Sequence, residues 1–140
     1  MDYQQNTQKN QKMLNQISGV LVIDKPVGMT SHDVVQAVRR GTGIRRAGHT
    51  GTLDPRASGV LVVLIGPAVR LSEFLTTSEK RYQAVMKFGM TTSTYDTEGT
   101  ITSEGREYDF EFEELEEALT KFVGEVEQTP PVFSALKIDG

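Results

Sequence analysis

Hydrophobic positions gather in a few places along the chain, and their spacing differs from one place to the next. Gly19-Val20-Leu21-Val22-Ile23-Asp24 is a short apolar run closed by Lys25-Pro26 and the turn-prone Gly28, which predicts a buried strand with a sharp exit. Ser31 stands where a helix cap belongs. Val34, Val35 and Val38 then share one helical face, and Arg39 and Arg40 precede Gly41 and Gly43, so the helix is expected to end close to Gly41. Gly59 to Gly66 encloses the most apolar stretch of the chain, consistent with a strand buried on both faces, and Ala68, Leu71, Phe74 and Leu75 follow at helical spacing.

Further along, Lys80 to Phe88 alternates, with Tyr82, Ala84, Met86 and Phe88 on one face, which predicts a strand with one apolar side. Thr97-Glu98-Gly99 fits a turn. Leu115, Ala118, Leu119, Phe122 and Val123 form a helical stripe that stops at Gly124, with acidic residues on its outer face. Gln128-Thr129-Pro130-Pro131 is excluded from a central strand, and Val132 to Ile138 begins something extended. Strands and helices alternate without a strict βαβ rhythm, and no internal repeat or mid-chain linker is visible. The expected fold class is therefore α+β, a mixed, mostly antiparallel sheet flanked by helices.

Composition narrows the function classes. The 140 residues suffice for one domain with a core. There is no cysteine, and the two histidines, His32 and His49, lie seventeen positions apart, so neither a disulfide framework nor a metal site is expected. The leader, residues 1–17, is polar, rich in Gln and Asn, and expected to be disordered. It lacks the apolar core of a signal peptide, and no segment is long and apolar enough to span a bilayer. The expectation is a soluble cytoplasmic protein with no membrane partner.

The formal net charge of −4 hides two blocks of opposite sign. From His32 to Met90 nine basic residues face four acidic ones, a net of +5, whereas from Thr91 to Glu127 two face twelve, a net of −10. A basic middle suits a polyanion, with the acidic flank turned to solvent.

Two readings compete for the glycine-rich middle. Gly43 to Thr50 matches the phosphate-cradling pattern G-x-x-x-x-G-K-[ST] except that His49 replaces the lysine, and a helix rather than a strand precedes it, so nucleotide hydrolysis is not expected. Asp54, in Gly48-His49-Thr50-Gly51-Thr52-Leu53-Asp54-Pro55, is either a turn aspartate bonding its own backbone or a carboxylate held for chemistry as nucleophile or base. Glycines on both sides permit close approach of a ligand. A lone carboxylate does not suit the paired-carboxylate scheme of glycoside hydrolysis.

The motifs taken together resemble the TruB family of tRNA pseudouridine synthases. They are Gly19 to Ser31, Gly48 to Pro55, Lys80-Arg81-Tyr82, the Thr94 to Gly99 turn and Gln128 to Lys137, in order and at compatible spacing. Arg56 and Ser58 depart from the commoner residues of the second motif. The resemblance implies isomerisation of the T-loop uridine at tRNA position 55 to pseudouridine, without cofactor or metal and with no obligate protein partner. It implies that Asp54 is the catalytic carboxylate, acting at C1′, at C6 or on the C2′ proton. In the same way it makes Tyr82 the platform for the flipped base, His49 a support for the flipped state, and Asp96 a substrate contact or brace. Lys25 and Pro26 become structural support beneath the loop. Arg39, Arg40, Arg45, Arg46 and Arg70 are candidates for phosphate contacts with the tRNA T-arm. Family members are longer, so residues 18–140 are expected to be the N-terminal part of the catalytic domain, lacking the C-terminal half and the RNA-binding domain. The arginine that pairs with the catalytic aspartate has no counterpart here, and the isolated chain is expected to be inactive. The competing hypothesis is a non-catalytic RNA-binding module using the same loop and basic surface.

Overall fold

In the computed structural model, which describes Met13 and residues 16–103, 105 and 109–129, the apolar run ahead of Lys25-Pro26 is strand β1 (Gly19–Lys25). Its odd positions turn inward: Leu21 and Ile23 pack on the core and Lys25 is fully buried, while Val20 and Val22 face solvent. Strand β3 (Gly59–Ile65) pairs with it antiparallel along its whole length, and the three-residue β2 (Ala47–His49) pairs antiparallel with the other edge of β3. The sheet order is β1-β3-β2. Helix α1 (Ser31–Thr42) contributes Val34 and Val35 to a core shared with Ile44, Ala47, Leu61, Val63 and Ile65.

Local chemistry sets the ends of α1. Thr30, not Ser31, is the N-cap. Its hydroxyl accepts from the Asp33 amide at 3.0 Å, and the Asp33 carboxylate accepts from the Thr30 amide at 2.9 Å and hydroxyl at 2.6 Å. These bonds, the side-chain one first, hold the Asp33 carboxyl below its ordinary value. At the other end the helix passes Gly41 and stops at Gly43, whose φ of +70° suits the left-handed cap that a side chain disfavours.

Two-sided burial of β3 is confined to its C-terminal end. Leu61, Val63, Leu64 and Ile65 are buried, but Val60 is 69% exposed. The core built with α1 lies on one face, and the 3-10 segment Gly66–Leu71 that follows Ile65 folds against the three strands. Past that segment, α2 (Ser72–Thr76) is short, and it leaves Phe74 exposed although the spacing had placed it on an apolar stripe.

The chain divides into two compact units, Met1–Arg81 and Tyr82–Gly140, and the boundary falls inside the run expected to be a strand. Among the described residues, 80–88 belong to no ladder, and every one of them is exposed. Alternation marks a face, but a strand also needs a neighbour for its amides and carbonyls. In the second unit, β4 (Thr91–Thr92) and β5 (Ile101–Ser103) form a bulged antiparallel pair around the expected turn, where Tyr95 takes a φ of +61°. Helix α3 (Phe112–Thr120) opens on a Glu111–Glu114 capping box and ends before Phe122 and Val123, which lie in turns leading to Gly124. Phe88 and Phe110 meet edge to face with centroids 4.8 Å apart. Every described ladder is antiparallel, and the fold is α+β. Pro130 to Gly140, with the expected extended stretch Val132–Ile138, and most of the leader lie outside the described residues.

Candidate active site

The loop of residues 50–58 joins β2 to β3 and is pinned from below by the β1–α1 connection. Leu53 packs its side chain against the core, and both of its main-chain groups bond to Ser31: the hydroxyl donates to the Leu53 carbonyl at 3.1 Å and accepts from the Leu53 amide at 2.9 Å. Two residues on, the Pro55 carbonyl accepts from the Gly28 amide at 2.7 Å. Gly28 reaches it with a φ of +90°, a conformation glycine adopts without strain. Lys25 also contributes. Fully buried, its Nζ donates to the carbonyls of Met29 at 2.7 Å, Pro26 at 3.1 Å and Pro55 at 3.5 Å. Burying an ammonium is costly unless its protons are bonded, and here the bonds tie the strand exit to the loop.

Asp54 sits between these two pinned neighbours. Its main-chain carbonyl accepts from the Ala57 amide at 3.0 Å, closing a β-turn with Pro55 in the favoured second position. The turn is therefore made by the main chain. The carboxylate is solvent-exposed and forms no hydrogen bond or ion pair among the described residues. Of the two sequence readings of Asp54, the self-bonded turn aspartate is not the one observed. What remains is an uncommitted carboxylate on a fixed backbone, able to act as nucleophile or base. Lys80 passes close by: its Cε lies 3.7 Å from where a Cβ on Gly51 would stand, while its Nζ donates to the Thr76 and Ser78 carbonyls.

The other candidates are placed as follows. His49 lies on β2 opposite Val63, half-buried, and its Nδ1 is buried without a hydrogen-bond partner among the described residues. Pairing of Ala47, Gly48 and His49 with β3 makes the near P-loop a sheet edge rather than a phosphate cradle. Arg40, Arg45, Arg46 and Arg70 are exposed, whereas Arg39 is half-buried and donates to the Ala47 carbonyl at 2.7 Å, bracing β2. Pro26 follows β1 and is exposed. In the second unit Tyr82 is 71% exposed, so its face is not spent on a core. Asp96 shapes its own turn, Oδ1 accepting from the Thr94 hydroxyl at 2.5 Å and the Glu98 amide at 2.8 Å. Among the described residues no group of three or more His, Cys, Asp or Glu could hold a metal ion, and no helix is long and apolar enough to cross a membrane. Ser31 and Leu53 escaped the sequence reading as site residues, because a serine before a helix looks like its cap and a lone leucine in a glycine loop has no periodic partner.

Comparison with known proteins gives a consistent picture. The family model described as TruB family pseudouridylate synthase (N terminal domain) matches residues 39–140. Proteins named tRNA pseudouridine synthase B are 52% identical in Solibacter usitatus, over 89% of this chain and 42% of the relative, and 47% identical in Caldanaerobacter subterraneus, over 89% and 44%. The chain thus spans less than half the length of these curated relatives. Among solved structures, a chain of a Cbf5–Nop10–Gar1 complex superposes with a TM-score of 0.58 at 28% identity, covering 91% of this chain and 33% of that one.

Proposed function

The chain belongs to the TruB family of pseudouridylate synthases, and from that premise we propose that it serves in isomerising uridine 55 of the tRNA T-loop to pseudouridine. The observation that carries this reading is the Asp54 carboxylate, unpaired among the described residues and mounted on a turn whose two flanking residues are bonded to the scaffold. In the reaction the C1′–N1 bond breaks, the uracil turns, a C1′–C5 bond forms, the C5 hydrogen leaves as a proton and N1 takes one up. Asp54 starts it by one of the routes open to a carboxylate: attack at C1′, attack at C6, or removal of the C2′ proton. Tyr82 supplies a face for the flipped base, His49 steadies the space the base vacates, and Asp96 contacts the substrate or braces its turn. Arg40, Arg45, Arg46 and Arg70 meet phosphates of the T-arm. Lys25 and Pro26 support the loop.

Residues 18–140 make up the N-terminal part of the catalytic domain, and the cation that pairs with Asp54 belongs to the remainder. The whole protein acts on tRNA without an obligate protein partner, metal or cofactor. T-arm RNA carrying tritium at uridine C5 tests this, since label is released only on turnover. The whole protein is expected to release label from the wild-type T-loop and none when the target uridine alone is unlabelled. Residues 1–140 alone are expected to release none. Absence of release by the whole protein, with RNA bound, would favour a non-catalytic RNA-binding module.

A further inference from the structure

An exposed carboxylate with no hydrogen bond or ion pair among the described residues takes its position from the main chain that carries it. The two residues that flank Asp54 are held from outside, Pro55 through its carbonyl and Leu53 through its amide and carbonyl. Ser31 does the second. The residue is 2% exposed and its hydroxyl reaches across twenty-two positions of sequence, although the helix it opens is already capped by Thr30. A serine needed only to start a helix would bond to the helix's own first amides, and one needed only to fill space would be served by alanine. Instead the hydroxyl donates to the carbonyl of the Leu53–Asp54 peptide and accepts from the amide of the Thr52–Leu53 peptide, using donor and acceptor together.

We infer that Ser31 is a positioning residue for the reaction proposed above, on which this inference rests: its two bonds fix the peptide entering Asp54 and so aim the carboxylate. Leu53 completes the mount by seating its side chain at the core that α1 also builds. The hydroxyl touches neither substrate nor reacting atoms. Its effect is therefore on the rate of the chemical step and not on RNA affinity, because a displacement of about 1 Å costs up to roughly a hundredfold in rate.

The test uses the whole protein with Ser31→Ala, saturating and in excess over C5-tritiated T-arm RNA, so that the single-turnover rate does not depend on the folded fraction. The rate is expected to fall about ten- to a hundredfold while the RNA dissociation constant stays within about threefold of wild type. A rate within twofold of wild type, or lost affinity with an unchanged rate, overturns the inference. A second measurement needs no variant. The Leu53 amide of the wild-type protein should exchange with deuterium at least about a hundredfold more slowly than an open loop amide, protection that a bonded amide earns only while its partner is in place. Exchange at the open-loop rate overturns the inference. Asp54→Asn in parallel separates the two claims. If it turns over like wild type, the functional reading fails; if it is silent while Ser31→Ala is fully active, only the positioning role fails.

Discussion

Strand β3 and helix α3 each carry an apolar pattern, yet Val63 and Leu64 of β3 are completely buried while Leu119 of α3 is 50% exposed and Phe122, just beyond it, 71%. No described residue of the second unit is buried, whereas the first unit encloses a core with a fully buried lysine. The difference lies in partners. β3 runs between two strands and packs on α1, so each inward side chain meets another, while the stripe of α3 meets no such set of neighbours among the described residues. Apolar periodicity states that a face seeks cover, and the fold shows whether cover is supplied.

Substitution should expose that difference most strongly in the two cores. Leu61→Ala, at a position 2% exposed, is expected to cost about 2–5 kcal/mol, and Leu119→Ala less than about 1 kcal/mol, by urea titration of the 140-residue chain. Equal losses would mean that the second unit holds a core of its own. The same pair made in the whole protein sharpens the contrast: a larger cost for Leu119→Ala there would show that the remainder covers α3.

The pattern made β1, α1 and β3 legible because their apolar runs and periodicities are clear within each segment. It could not reveal that Lys80 to Phe88 has alternation without a ladder, since pairing depends on what lies beside the run. Strand β2 was hidden, three residues long inside a string that resembled a phosphate loop. At the site, the motif singled out Asp54, and the glycines around it pointed to a tight loop. The clasp from Ser31 to Leu53 was invisible because it joins positions twenty-two apart through one hydroxyl. Arg39 counted as a surface charge until its bond to the Ala47 carbonyl was seen.

Lys25→Met should destabilise the first unit by about 1.5–3 kcal/mol, because it removes a charged donor from the Met29, Pro26 and Pro55 carbonyls. Thermal unfolding would register it, and a midpoint unchanged from wild type would show that water replaces the ammonium. Substituting glutamine for Arg40, Arg45, Arg46 or Arg70, one at a time, is expected to lower the salt slope of RNA binding by about 1 each. Lys121→Gln, in the acidic block, should leave the slope unchanged; a matching fall there would move the RNA contact into the second unit.

The smallest effect belongs to the cap of α1. Because the folded-state value of the Asp33 carboxyl lies below its unfolded one, its contribution to stability is complete above the ordinary carboxylate range, about pH 4, and is lost as pH falls through the lower folded value. Asp33→Asn should flatten that acid-side slope slightly in pH-dependent unfolding, and an unchanged slope would mean the Thr30–Asp33 box contributes nothing.

In the proposed reading the first unit holds the Asp54 backbone through Ser31 and Gly28 and leaves the carboxylate for the chemistry. Asp54→Asn in the whole protein measures this most directly, with melting temperature, T-arm affinity and single-turnover release of tritium from uridine C5 read on one preparation. An unchanged melting temperature, affinity within about twofold of wild type and no release are expected, since the amide loses the nucleophile or base while the backbone bonds remain. Release within about tenfold of the wild-type rate would contradict it.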